Sequence, residues 1–350
     1  MSERGACAGA DPSPAGRVLV TGATGHVGAQ LVRALLDDGR RVRALVREDR
    51  RALAGLPVET MPGDVCDPSS VLRALDGVEA VYHLAALISL TGEQGGRVRA
   101  VNVDGTRTVV EGCLARGVPR LVHFSSIHAL SPSPRGEVLD EHRAPVDAER
   151  APAYDRSKAA GEREVAAGVA RGLSATTILP TAVLGPFDFK PSRMGRVLRD
   201  LALGRLPALV DGAFDWVDGR DVARAAIAAE RAGRPGERYL LSGTFLPLAE
   251  LAALVAELSG VRAPRLVVPQ WLARPVAPAA AAWAKLTGSE PRFTPESLLA
   301  LRTGHPRIDH GKAAAELGYR PRPLRDTVRD TLAWFAARER PGPAAAGAAR

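Results

Sequence analysis

Arg17-Val18-Leu19-Val20-Thr21-Gly22-Ala23-Thr24-Gly25-His26-Val27-Gly28 is the stretch that decides the fold. Arg17–Thr21 reads as a short buried strand that runs straight into a glycine turn. Val27–Leu36 then has helical apolar spacing, and Gly39 is placed to end that helix. The glycines serve separate purposes. Gly22 permits the tight exit from the strand, Gly25 lets backbone approach a pyrophosphate with no Cβ in the way, and Gly28 lets the helix pack close to the strand. The start of that helix offers free N–H groups and a partial positive charge to phosphates. A glycine triplet alone is a weak signal; between a strand and a helix at the start of the fold it points to a bound dinucleotide.

Outward from this turn, strands and helices alternate. Arg41–Val46, Val58–Gly63, Ala80–Leu84, Arg120–Ser125 and Ser174–Leu179 read as strands; Ser69–Leu75, Val101–Ala115 and Ala153–Val169 read as helices. Such alternation predicts an α/β fold, a Rossmann-type doubly wound parallel sheet covered by helices on both faces. After about Pro186 proline and arginine become frequent and the pattern loosens. The expected organisation is a disordered tail over 1–15, a dinucleotide-binding domain over 16–185, a smaller mixed substrate-binding region with sheet-completing segments over 186–338, and a second disordered tail over 339–350.

The end of the second strand selects the cofactor. A carboxylate there would bind the adenosine ribose hydroxyls of NAD(H). This strand ends Ala44-Leu45-Val46-Arg47, and a guanidinium suits the 2′-phosphate of NADP(H). NADP(H) is the expected preference; a register shift of one residue would bring Glu48 there and favour NAD(H).

Tyr154-Asp155-Arg156-Ser157-Lys158 carries the reacting groups. On a helix, residues i and i+4 share a face, and an ammonium beside a phenol stabilises the phenolate for proton transfer. Only four Tyr occur in the chain, and its lysines are Lys158, Lys190, Lys285 and Lys312. A chance match to this spacing is expected only about 0.05 times. A hydroxyl should stand at the end of the preceding strand, where Ser125 and Ser126 lie. His128 is close by, with a structural or solvent-facing role favoured over a pocket-facing one. His83 reads as a hydrogen-bonded core histidine before a catalytic one. His123 and His128 are spaced wrongly for a metal site on either a strand or a helix, and no metal is expected.

Composition narrows the rest. The chain has 350 residues, 46% hydrophobic and 25% charged, with a net charge of +8. The basic residues alternate with acids, as in Arg325-Asp326 and Arg329-Asp330, without a basic block or nucleic-acid motif, so nucleic acid is not an expected partner. Three widely spaced cysteines, Cys7, Cys66 and Cys113, suit a reduced cytoplasmic protein. Residues 1–15 lack the apolar core of a signal peptide. Ala273–Leu286, the most alanine-rich stretch, is too short and interrupted to span a membrane, so no stable membrane insertion is expected.

With these motifs in hand, the chain resembles the extended short-chain dehydrogenase/reductases, within the NAD-dependent epimerase/dehydratase family. The glycine spacing TGxxGxxG, rather than GxGxxG, carries this likeness and argues against a medium-chain dehydrogenase. Within the family the chain looks most like the dihydroflavonol-4-reductase and 3β-hydroxysteroid dehydrogenase branch. The likeness extends from about Arg17 to Ala337. It includes Val101-Asn102-Val103-Asp104-Gly105-Thr106, Leu179-Pro180-Thr181, Trp216-Val217-Asp218 with Asp221-Val222-Ala223, and Glu316-Leu317-Gly318-Tyr319-Arg320-Pro321.

The resemblance implies a site. Gly22 to Gly28, including Ala23, Thr24, His26 and Val27, would hold the pyrophosphate. Asp64-Val65 and Leu84-Ala85-Ala86 would hold the adenine and line the dinucleotide. Pro180 and Thr181 would border the nicotinamide. Ser126, in a Ser-Ser-Ile context typical of ketosteroid and flavonol-type reductases, would hydrogen-bond the substrate oxygen, with Ser125 nearer the nicotinamide. Tyr154 would pass the proton, and Lys158 would bind the nicotinamide ribose and tune Tyr154. Asn102 reads as structural before it reads as part of a proton relay. A homodimer through the helices Val101–Ala115 and Ala153–Val169 is implied.

Three activities fit: NADPH-dependent reduction of a ketone or aldehyde, an NDP-sugar epimerase or dehydratase holding tightly bound NAD, and a non-catalytic dinucleotide sensor. The intact Ser126, Tyr154 and Lys158 set argues against the last. The segment Gly185-Pro186-Phe187-Asp188-Phe189-Lys190-Pro191 resembles sugar-epimerase-like members, and Lys190, Arg193 and Arg196 could meet a diphosphate. A small-molecule substrate pocket is expected from residues 187–214 and 267–294, with Phe187, Phe189, Phe214, Trp271, Trp283 and Phe293 among its candidate lining.

Overall fold

A computed structural model describes residues 16–147, 149–275 and 294–339. The expected tail 1–15, residues 340–350 of the tail expected over 339–350, and the pocket candidates Trp283 and Phe293 lie outside the described residues; Glu339 is not in a tail but ends the helix that starts at Leu324.

Seven strands form one sheet: β1 (Arg17–Thr21), β2 (Arg41–Val46), β3 (Val58–Pro62), β4 (Ala80–His83), β5 (Arg120–Phe124), β6 (Ala175–Pro180) and β10 (Arg238–Leu241). Their order is β10-β6-β5-β4-β1-β2-β3. Every pairing in it is parallel. Strand order reverses between β1 and β4, which opens a crevice beyond their carboxyl ends, where ligands bind in such sheets. The glycine turn, Arg47, Leu84, Ser125 and Thr181 all follow the ends of these strands.

Helices cover both faces because the strands are apolar on both. Leu31, Val32 and Leu35 of α1 (His26–Asp37) join Val222, Ala226 and Ile227 of the helix Gly219–Ala232 over one face. Over the other lie Val71 of α2 (Pro68–Ala74), Val109 and Cys113 of α3 (Gly105–Arg116) and Val165 of α4 (Ala153–Ala170).

The helix expected over Val101–Ala115 is not uniform. Ala100–Asp104 forms a π-helical segment before α3 begins. The cause is a set of tertiary hydrogen bonds: Asn102 donates to Ser157 Oγ at 2.8 Å and to the Leu87 carbonyl at 3.1 Å, while accepting from Leu87 N at 2.7 Å. Its carbonyl also approaches Gly161 so closely that a Cβ there would lie 2.8 Å away. Such π-bulges concentrate at functional sites. Asn102 thereby fixes the backbone that follows β4.

From β7 onward the chain also builds smaller units. β7 (Ala182–Leu184), β9 (Ala213–Asp218) and β11 (Thr244–Pro247) form a mixed sheet, and β8 (Ala208–Val210) pairs with β12 (Leu266–Val268). With α5 (Arg193–Ala202), α7 (Leu248–Ser259), α8 (Pro295–Thr303) and α10 (Leu324–Glu339) they bury a separate core that includes Leu198, Trp216, Leu251 and Val328, whereas α6 (Gly219–Ala232) and α9 (Gly311–Leu317) join the core of the main sheet. The seventh strand of the main sheet, β10, also comes from this part of the chain.

Candidate active site

The glycine turn is shaped by close packing on one side and left open on the other. Gly22 has φ +71°, and a Cβ there would stand 2.7 Å from the Ala85 nitrogen; a Cβ on Gly28 would stand 2.1 Å from the Gly22 carbonyl oxygen. Gly25 meets only that oxygen, at 3.3 Å, and is exposed. α1 begins at His26 with no side-chain cap and no acid in its first turn. Its first N–H groups are therefore available to an anion. This open, uncapped cradle fits a dinucleotide pyrophosphate. His26 Nε2 reaches the Gly185 carbonyl at 3.0 Å and ties the turn to the segment after β7.

Around the turn, Thr21 accepts Ala85 N at its hydroxyl (3.2 Å) and Leu84 N at its carbonyl (3.1 Å). Ala86 is exposed beside them, and Val65 is buried under Gly105. Arg47 stands exposed just past β2, 3.9 Å from Asp64, whose carboxylate accepts Cys66 N. The neighbouring acid Asp49 is engaged by Arg51 at 2.7 Å, which lowers its pKa to about 2. Lys190 adds its charge to Asp49. The segment after Gly185 thus reaches over α1 to the far end of β2. Phe187 and Phe189 turn edge-on to Trp334, at 6.4 and 5.3 Å, and Arg33 of α1 lies 4.4 Å over Phe187. These aromatics are held in a cation–π stack with the last helix.

The residues expected to react come together where β5 ends and α4 begins. Tyr154 and Lys158 occupy one face of α4, and both are buried. The Ser126 hydroxyl stands near enough to the Tyr154 phenol to favour its ionised form, and it accepts His128 N at 3.2 Å. Ser125 is engaged elsewhere: its hydroxyl donates to the Glu162 carboxylate. Burial pushes the Tyr154 phenol up to about 12, against the opposing influence of the Ser126 hydroxyl. Burial holds the Lys158 ammonium down to about 8, with Glu162 working against it. Lys158 Nζ donates to the Phe124 carbonyl at 2.7 Å. The sequence places a lysine charge beside the phenol; here that ammonium is spent on the strand end.

Two residues near the site escaped the sequence reading. Glu162 lies one turn past Lys158, 3.5 Å from the Arg238 guanidinium of β10; the same spacing that picks Tyr154 and Lys158 reaches it. Asp215 accepts from the Thr181 hydroxyl at 2.7 Å and from Gly243 N at 2.8 Å, and so anchors the end of β6. His128, expected to be structural or solvent-facing, stands beside the site. Its ring is edge-on to Tyr154 at 6.0 Å and its Nδ1 is 3.3 Å from Asp155. Burial works against its imidazolium, but Asp155 outweighs it and raises the pKa. His83 is a core residue between the Thr21 and Thr106 hydroxyls, at 2.8 and 3.0 Å, its pKa driven down to about 3 by burial.

A groove of about 340 Å³ opens at the start of α4, lined by Gly92, Glu93, Pro152, Ala153, Pro295 and Leu299.

A doubly wound sheet with a glycine-cradled crevice and a buried Ser-Tyr-Lys group defines an NAD(P)-dependent enzyme of the extended short-chain dehydrogenase/reductase type. The chain belongs to the NAD dependent epimerase/dehydratase family, whose sequence model matches residues 18–242. It is 40% identical over 321 residues to sterol demethylase protein B of Methylococcus capsulatus, covering 91% of this chain and 97% of that one. It is 31% identical over 269 residues to the 3 beta-hydroxysteroid dehydrogenase/Delta 5-->4-isomerase of Mycobacterium tuberculosis, covering 72% and 71%. Among solved structures it resembles PA4631, a nucleoside-diphosphate-sugar epimerase from Pseudomonas aeruginosa, with TM-score 0.74 and 27% identity, covering 92% of this chain and 98% of that one.

Proposed function

We propose that this enzyme reduces a ketone or aldehyde on an apolar small molecule, using NADPH. The observation that carries the reading is the buried Tyr154 phenol beside the buried Ser126 hydroxyl, with burial keeping the phenol protonated near neutral pH. A protonated phenol can donate to a carbonyl oxygen as negative charge develops there. The dihydronicotinamide supplies the hydride when bound. Ser126 orients the carbonyl oxygen through a second hydrogen bond, Tyr154 Oη gives its proton to that oxygen, and Lys158 holds positive charge nearby. Thr181, fixed by Asp215, and Pro180 border the crevice, and Ala85 and Ala86 give it a smooth wall.

Exposed Arg47 supports the NADPH preference, as does the engagement of Asp49 by Arg51, which leaves that carboxylate unsuited to a ribose. The likeness to a sterol-named and a hydroxysteroid-named enzyme supports an apolar substrate. A sugar-nucleotide epimerase with retained NAD is the second reading, favoured by the likeness to the Pseudomonas enzyme. Against it, Lys190 acts on Asp49 at the cofactor end, and Phe187 and Phe189 pack on Trp334. We include in the proposal a cytoplasmic homodimer through α3 and α4.

The test is to purify the protein, record its absorbance without added cofactor, and titrate NADPH and NADH separately. An empty protein that binds NADPH at least about tenfold more tightly, a difference of about 1.4 kcal/mol, supports the reductase. Arg47→Asp should then erase the preference. Copurified NAD with turnover of sugar nucleotides would replace this reading with the second.

A further inference from the structure

The strongest feature outside the catalytic crevice is an exposed run from Arg262 to Pro275. Leu266 and Val267 stand on β12, and Trp271 and Leu272 follow one helical turn later; all four are exposed, Trp271 by 71% and Leu266 by 59%. Exposed apolar groups of this size, close together, mark an interaction surface. Arg262, Arg265 and Arg274 are exposed among them. The sequence has no Asp or Glu from Leu258 to Ser289. An apolar-lined groove of about 430 Å³, bordered by Phe245, Pro247, Pro269, Trp271 and Leu301, opens beside the patch.

We propose that this surface docks the enzyme peripherally on an anionic lipid bilayer, with Trp271 and its apolar neighbours entering the interface and the three arginines meeting lipid phosphates. The charge pattern selects this occupant. A second copy packed face to face would bring the same three arginines from both sides into one interface, with no acid in the stretch to pair them. A bilayer supplies negative charge to the arginines and an apolar layer to the side chains, and indole rings settle at that boundary. Arg135 and Arg302 also line the groove, where Asp211 is the acid, so the surroundings stay basic. No described helix is long and apolar enough to cross a membrane, and none is needed for docking of this kind. Trp271, expected from the sequence to line the substrate pocket, stands instead on this exposed surface, and the inference does not depend on the catalytic reading.

The experiment is cosedimentation of the full chain with vesicles of phosphatidylcholine alone and of phosphatidylcholine mixed with phosphatidylglycerol. The expected result is binding to the mixed vesicles that weakens as salt is raised and falls at least tenfold in Trp271→Glu/Leu272→Glu. Arg262→Glu/Arg265→Glu should lose the preference for anionic lipid. Circular dichroism and cofactor titration on each variant should match the parent, which separates lost docking from lost folding. Failure of the parent to bind either vesicle, or equal binding by the folded patch variants, overturns the proposal. So does a dimer in sedimentation velocity that Trp271→Glu dissociates, which would assign the patch to a second copy.

Discussion

Ser125 donates its hydroxyl hydrogen to the carboxylate of Glu162, a residue two turns beyond Tyr154 on the same face of α4. That contact, together with the Arg238 guanidinium, keeps a carboxylate buried within electrostatic reach of Lys158.

Glu162→Gln removes a charge that supports the Lys158 ammonium. The variant's kcat/KM for carbonyl reduction should lose activity at lower pH than the parent's. Comparing the two pH profiles checks it; an unmoved alkaline limb would leave Glu162 with a packing role only.

Lys158 itself sets the parent's limb. Its pKa is lowered to about 8, so reduction should be level below that pH and decline above it. The stability effect has the opposite sign. Because the folded pKa lies below the unfolded value of about 10.4, the cost of the buried charge is fully present below pH 8 and is relieved as pH rises between the two values. Lys158→Met should abolish the limb and raise the unfolding midpoint in urea at pH 7.

Tyr154→Phe keeps the ring and its burial while removing the acid. Turnover should fall by roughly 10²–10⁴-fold, the usual worth of a positioned proton donor, with NADPH affinity unchanged. Single-turnover kinetics and a binding titration read the two separately, and retained turnover would place the proton donor elsewhere.

The glycines should separate folding from binding. In Gly28→Ala the new methyl meets the Gly22 carbonyl at 2.1 Å, backbone that cannot rotate away, so a loss of about 3 kcal/mol or more is expected in urea unfolding. Gly25→Ala meets only a 3.3 Å contact. It should fold nearly as well as the parent and bind cofactor at least about tenfold more weakly. Equal cofactor affinity in Gly25→Ala would contradict the cradle.

The His128–Asp155 pair makes a pH prediction of its own. The folded imidazole has a raised pKa, so its stabilisation is fully present below the unfolded value of about 6.5 and is lost as pH rises through the folded value. Asp155→Asn should flatten the fall in thermal midpoint across that window. An identical slope in parent and variant would remove the pair from the account.

Much of this was legible in sequence because it is local. β1 and β2 are read to the residue, since their apolar runs end at a glycine turn and a charge. Tyr154 and Lys158 announce themselves by spacing on one helix. The π-helical segment at Ala100–Asp104 was not legible: Asn102 is drawn to Leu87 and Ser157, and those partners are neighbours only after folding. Phe187 and Phe189 look like pocket aromatics in sequence, and only the position of α10 shows that they pack on Trp334. Arg238 carries no motif, and its approach to Glu162 depends on which strand lies beside β6.

That last placement affects how the molecule is made. β10 reaches the sheet only after the chain has passed through β7, β9 and α6. Until Arg238–Leu241 emerges from the ribosome, β6 presents an unpaired apolar edge of the kind that recruits foreign strands, and the carboxylate of Glu162 waits for its guanidinium. A fragment ending near Gly185 would keep the glycine turn and all three reacting side chains in its sequence, yet it should aggregate rather than fold, because the nascent nucleotide-binding half is sealed by residues synthesised some fifty positions later.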